Sequence, residues 1–357
     1  MVVVWDGMRP DFVTEQNTPT LWKLAREGIT FRNHHAVYPS ATMVNGTAIV
    51  TGIYPGKSGI IANHVYRPDI DPHHSVDVEL PAVVKKGDEV SGWEIHFGSN
   101  DCRASPARAG AHSVIASAKT VGLLLDRHSA DVGLRENCVT LFAGKLAPAR
   151  ERIPFRLLQR LVPFHLAHLQ QDAWTTKAMT DCFWKDGVPA LSVLWLGEPD
   201  LTQHESAPGA PAALAAIKSA DENLAAVLSA LDQRDARGRT DVFVVSDHGF
   251  STIKRSVDLR RILNDAGFTA KIEELRIAKD GNQSAGGVRD KTEFNDRTKT
   301  WRHHAGRQRW QRSFLCRRTR HRGSSRRLVE FLQQSGFCRC DFHEKSRWKG
   351  RSVSRKR

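Results

Sequence analysis

The chain has 357 residues, 40% of them hydrophobic, which is enough for one large α/β domain or two small ones with real cores. No run of about 18 apolar residues occurs, so the sequence offers no membrane-spanning helix. The formal net charge of +14 suggests nucleic acid until it is located: residues 289–357 carry 22 Lys and Arg against 6 Asp and Glu, while the remainder carries 31 against 33. The body is electrically ordinary, and the high pI belongs to the C-terminal segment.

In chain order, "VVVW" (2–5) reads as a buried strand. No basic, apolar and cleavable leader precedes it, so the chain as written is expected in the cytoplasm, with an upstream leader left open by the abrupt start on a strand. "NTPTLWKLAREG" (17–28) predicts a helix capped by Asn17 or Thr18, with Pro19 in its first turn and Gly28 ending it. "ITFRNHHAV" (29–37) is strand-like, and "TMVNGTAIVTG" predicts a helix opening at or just before Thr42. "HSVIAS" (112–117) and "ALSVLWLGEPD" (190–200) are apolar runs of strand type.

Residues 211–231 place Leu214, Ile217, Leu224, Val227, Leu228 and Leu231 at helical spacing, a stripe for core packing. "DVFVVSDHGF" (241–250) is a strand fit for burial that ends in a polar pair, and "SVDLRRILNDAG" predicts a short helix ending at Gly267. Alternating strands and helices imply an α/β fold with a largely parallel sheet over residues 1–288, with 129–185 as a cap or insertion. Residues 93–110 show no amphipathic period. Residues 289–357 read as a disordered or frame-shifted basic tail in preference to a nucleic-acid-binding arm. The six cysteines follow no regular framework, and Cys338-Arg-Cys340 is too closely spaced for a zinc knuckle, so they are taken as free thiols.

The chemistry lies at the strand ends. Three apolar runs each finish in aspartate: Asp6, Asp200 and Asp247. In an open α/β sheet, groups beyond the carboxyl ends of strands share one crevice. Three carboxylates gathered there would repel unless a cation neutralised them. His204 and His248 stand nearby in sequence, and carboxylates mixed with imidazoles suit zinc, with manganese second. Thr42, at a helix start that favours an anion, is the candidate nucleophile, and Asn45 one turn later is a candidate donor to a phosphoryl oxygen.

Four pieces now stand in order: Asp6-Gly7, the block "PTLWKLAREGITFRNHHAVYPSATMVNGTAIVTGIYPGKSGIIAN", "GEPDLTQHESAPG" and "SDHGF". Together they resemble the type I phosphodiesterase/nucleotide pyrophosphatase family of the alkaline phosphatase superfamily. The resemblance implies a three-layer α/β/α sandwich, a two-zinc site, and hydrolysis of small phosphodiester or nucleotide substrates through a phosphothreonine intermediate. It assigns Asp6, Thr42, Asp247 and His248 to the metal that activates the nucleophile, and Asp200 and His204 to the metal facing the leaving group. Members of the family are often exported. Phosphonoacetate hydrolases and phosphomonoesterases of the superfamily are the competing activities; a pseudoenzyme, or a nucleic-acid binder working through the tail, is the competing class. The family pattern also has a histidine in a Gly-x-His-Gly-like stretch near the C-terminus as a third ligand for the second metal. No such stretch occurs in this chain, so weaker binding there and impaired activity are expected.

Overall fold

Runs of valine, leucine and tryptophan build the central strands Val2–Trp5 (β1) and Leu191–Leu196 (β7); the other strands are His64–Tyr66 (β2), Ser75–Asp77 (β3), Ser113–Ser117 (β4), Cys138–Phe142 (β5), Lys145–Ala147 (β6) and Phe243–Val245 (β8). The computed structural model describes residues 1–72, 74–80, 83, 86, 113–125, 138–143, 145–147, 168–253, 257–268, 327, 330–332 and 334. Six strands form one sheet in the order β6-β5-β4-β7-β1-β8, and β2 and β3 form a separate antiparallel pair. The neighbours β5, β4, β7, β1 and β8 run parallel, and β6 is antiparallel to β5.

The helices are Pro19–Glu27 (α1), Thr42–Thr51 (α2), Pro55–Ser58 (α3), Gly122–Leu125 (α4), His168–Lys177 (α5), Asp200–Glu205 (α6), Pro211–Asp232 (α7) and Leu259–Asp265 (α8). A π-helical turn over Ala178–Phe183 continues α5. Side chains alternate across a strand, so each central strand feeds two cores. Val3, Trp5, Val114, Ala116, Leu194 and Leu196 pack with Trp174 of α5 and with Ile217, Leu224, Val227 and Leu231 of α7. On the other face, Val4, Ile115, Val193 and Trp195 pack with Met43 and Val44 of α2 and with Leu124 and Leu125 of α4. Helices on both faces of a mostly parallel sheet make three layers, as expected.

The predicted strand at 29–37 does not form. Ile29 and Phe31 are exposed, and among the described residues no strand pairs there, so strand-like composition alone did not create a sheet partner. The last strand is also less buried than its composition suggests. Among the described residues β8 has β1 as its one neighbour, and Phe243 is exposed. Thr18 is the N-cap residue of helix α1, one of the two expected, but its side chain makes no cap hydrogen bond; Asp221 of α7 accepts from the Thr20 and Leu21 N–H groups instead (2.9 and 2.8 Å). The described parts of 129–185 supply β5, β6 and α5 to the sandwich. Residues 93–110 and nearly all of 289–357 lie outside the described residues. Among the described residues no helix is long and apolar enough to cross a membrane, and Cys182 is a free thiol.

Contacts divide the chain into two units, Met1–Thr252 with Glu273–Ser313, and Ile253–Ile272 with Phe314–Arg357. In the second unit, Asp258 caps α8 by accepting from the Arg261 N–H (3.1 Å), and Phe268 meets Phe331 at 5.6 Å between ring centroids.

Candidate metal centre

The four adjacent parallel strands β4, β7, β1 and β8 end on the same side of the sheet. Just past those ends stand Lys119 after β4, Asp200 after β7, Asp6 after β1, and Asp247 with His248 after β8. The turn after β1 is glycine by necessity. Gly7 has φ +69°, and a Cβ on it would lie 2.9 Å from Asp200 Cβ. Its N–H donates to Asp247 Oδ1 (3.1 Å), and the Asp200 N–H donates to the Asp6 carbonyl (3.0 Å). The backbone thus locks three strand ends together. Asp172 of α5 tightens the next turn by accepting from the Gly197 and Glu198 N–H groups (2.7 and 3.0 Å).

Asp6, Asp247 and His248 offer ligand atoms that all lie within 4.8 Å of one another. His248 Nε2 is 3.4 Å from both Asp6 Oδ1 and Asp247 Oδ2, and 3.3 Å from Thr42 Oγ1. His248 Nδ1 lies 2.8 Å from the Gly249 carbonyl, which can only accept. Nδ1 therefore carries the proton, and in the neutral ring the Nε2 lone pair is turned toward the carboxylates. Asp6 Oδ1 and Asp247 Oδ2 are buried with no hydrogen-bond partner. Two carboxylate oxygens without hydrogen-bond partners and an imidazole nitrogen that meets only the Thr42 hydroxyl and those carboxylates form the kind of donor set a divalent cation takes, so these residues fit a metal.

Electrostatics say the same. Burial, and then the neighbouring Asp6, push the Asp247 carboxyl up to about 7. Burial opposes an imidazolium at His248, but Asp247, Asp6 and Asp200 outweigh it and raise its pKa. Without a cation the site collects protons instead.

The second predicted set is arranged differently. Asp200 Oδ1 lies 3.3 Å from His204 Nε2, but Asp200 Oδ2 is 2.8 Å from Lys119 Nζ. The same ammonium lies 2.9 Å from Asp6 Oδ2, which also accepts from Trp195 Nε1 (2.9 Å). Burial would push the Asp200 pKa up; Lys119, followed by His204, overcomes this and holds it below the usual carboxylate range. Among the described residues, Asp200 and His204 gather no third histidine, cysteine or carboxylate, so a second metal does not fit as the first does.

Thr42 opens α2, as expected, and is buried. Asn45 faces the segment before its helix. Its Oδ1 accepts from the Val37 N–H (2.8 Å), and its Nδ2 donates to the Val37 and Ala41 carbonyls (3.4 and 3.3 Å). Those contacts correct the expectation of an amide aimed at a phosphoryl oxygen; Asn45 holds the chain leading into Thr42. A second side-chain amide, that of Asn63, reaches the start of α2, where its Oδ1 accepts from the Met43 N–H (3.0 Å). Lys119 was missed as well, although it stands two residues past "SVIAS", where the strand-end rule that found the aspartates would have found it.

The family model for type I phosphodiesterase / nucleotide pyrophosphatase matches residues 1–335. The chain belongs to that family. Its curated relatives include the mouse ectonucleotide pyrophosphatase/phosphodiesterase family member 3, 24% identical over 249 residues, covering 68% of this chain and 24% of the relative. Venom phosphodiesterase 2 of Crotalus adamanteus is 23% identical over 253 residues, covering 70% and 26%. The chain thus spans about a quarter of the length of the curated relatives it matches. Among solved structures, the phosphonoacetate hydrolase of Sinorhizobium meliloti 1021 in complex with phosphonoformate superposes with a TM-score of 0.55 at 21% identity, over 74% of this chain and 60% of that one. This likeness concerns the fold, which is alkaline-phosphatase-like.

Proposed function

We propose that this chain hydrolyses phosphodiester or pyrophosphate bonds of nucleotide-type substrates, with Thr42 as nucleophile and a divalent ion, zinc by ligand chemistry, at Asp6, Asp247 and His248. The observation that carries this reading is the 3.3 Å approach of Thr42 Oγ1 to His248 Nε2, inside a cluster of orphaned carboxylate oxygens. Family membership and the names of the curated relatives support the reaction and substrate class. When bound, such an ion supplies the positive charge that stabilises a threonine alkoxide and offsets charge on the phosphoryl group.

The chain's own residues do the rest. The start of α2 favours a phosphoryl oxygen through its dipole and first N–H groups. Asn63 braces the Met43 N–H next to the nucleophile. Thr42 Oγ1 gives its proton to solvent water and bonds to phosphorus as the bond to the leaving oxygen breaks on the far side, the leaving oxygen taking up a proton from solvent. Water then cleaves the phosphothreonine and restores the hydroxyl. Burial of Asp6 and Asp247 fixes the carboxylates before substrate arrives, so little reorganisation accompanies the chemistry.

The test is turnover of bis-p-nitrophenyl phosphate and p-nitrophenyl phosphate with added zinc. The diester is expected to be the better substrate, and Thr42→Ala to lose at least about a thousandfold in kcat. Equal turnover by the variant would remove Thr42 from the mechanism.

A further inference from the structure

We propose that the Lys119 ammonium takes the place of a second cation, so that the chain binds one divalent ion at Asp6, Asp247 and His248 and carries its other positive charge as a fixed side chain. The inference rests on the metal reading above, and it departs from the two-zinc arrangement the family resemblance implies.

Position is the first support. Lys119 Nζ sits between Asp6 Oδ2 (2.9 Å) and Asp200 Oδ2 (2.8 Å), distances of charge-assisted hydrogen bonds, with its side chain 19% exposed. It therefore occupies one oxygen each of Asp6 and Asp200 with a fixed positive charge, while Asp200 Oδ1, buried without a hydrogen-bond partner, faces His204 Nε2 at 3.3 Å.

Its location is also anchored. The Ala118 N–H donates to the Trp195 carbonyl (2.9 Å), the Lys119 N–H donates to Ser117 Oγ (3.2 Å), and Ser117 Oγ–H donates to the Lys119 carbonyl (2.7 Å). The turn after β4 thus holds the lysine stem where it is, beside Gly197.

Charge is the third support. Asp6, Asp200 and Asp247 bring three negative charges, with the neutral His248 tautomer adding none. One dication and one ammonium balance them. Two dications beside the same ammonium would leave two positive charges uncompensated in a buried site, at high desolvation cost. Ligand supply agrees: Asp200 and His204 find no third ligating side chain among the described residues, and the chain contains no Gly-x-His-Gly stretch.

The experiment counts bound zinc per chain by elemental analysis after equilibrium dialysis against the metal alone, with no substrate present. Wild type is expected to hold one ion. Two ions would overturn the proposal while leaving the metal reading intact; none would sink both. Lys119→Met frees oxygens of Asp6 and Asp200 beside His204, and is expected to raise the count to two, whereas Lys119→Arg keeps it at one. A Lys119→Met protein that still binds a single ion shows that the ammonium was not what excluded the second, and the proposal falls. Should Lys119→Met fail to fold, Asp200→Asn decides. The count stays at one with zinc affinity within about threefold of wild type if Asp200 pairs with Lys119; a lost ion, or affinity weakened tenfold or more, makes Asp200 a metal ligand and overturns the proposal.

Discussion

Gly7 occupies a backbone conformation with φ +69° and presses against Asp200 at a distance no side chain tolerates. Gly7→Ala is expected to cost about 1–2 kcal/mol from the left-handed backbone alone, and to weaken zinc binding by displacing Asp247, which accepts from the Gly7 N–H. Thermal unfolding and zinc titration check both, and unchanged affinity would show that this turn does not shape the site. Asp172 makes a second prediction. Burial pushes its carboxyl up to about 8 from an ordinary 3.8. Between those values the folded chain holds a proton that the unfolded chain has released, so stability falls as pH rises through that window. Glu79, also raised by burial, to about 7, acts in the same sense. The melting temperature is expected to be lower at pH 9 than at pH 6, with a smaller difference in Asp172→Asn; an equal difference would clear Asp172 of the effect.

At the scale of elements, the long helix α7 does two jobs. One face packs Ile217, Leu224, Val227 and Leu231 on the sheet, while Asp221 reaches the open N-terminus of α1. Asp221→Ala is expected to destabilise the fold by about 1–2 kcal/mol, as for lost helix caps in general, without changing zinc affinity, because both its hydrogen bonds serve α1. Equilibrium denaturation measures the loss. Here the limits of the sequence become physical. The α7 stripe was legible because burial imposes a period of 3.6 on apolar residues, and the strands carrying Asp6 and Asp200 because a strand covered on both faces reads as a continuous apolar run. Residues 29–37 were strand-like as well, yet a strand requires a partner, which no local pattern supplies. The Asp221 contact with α1 was illegible for a related reason, since its two N–H donors and the carboxylate that accepts from them are about 200 residues apart in sequence. Asn45 and Asn63 are chemically alike, and only the path of the chain decides which amide stands beside Met43. Lys119 was within reach of the strand-end rule, but a single lysine after a short strand has an ordinary surface explanation until its partners are seen.

For the whole molecule, the decisive feature is that β1 lies between β7 and β8, bringing Asp6 beside Asp247 and His248 across 240 residues of chain. An ion held there bridges the two strands, so it stabilises the native sheet and not the unfolded chain. Zinc at about a hundred times its dissociation constant is expected to add about 2.7 kcal/mol. A chelator should reverse the gain, as differential scanning calorimetry would record; no shift in melting temperature would mean that no ion bridges these strands.

That strand order also sets a timetable for biosynthesis. Two of the three proposed donors, Asp247 and His248, leave the ribosome only after all eight strands of the described residues, so on the proposed metal reading a nascent chain interrupted ahead of β8 carries Asp6 and Thr42 without the other two donors. On that reading acquisition of the ion would be a closing event of maturation, and prematurely terminated products would be expected to emerge metal-free.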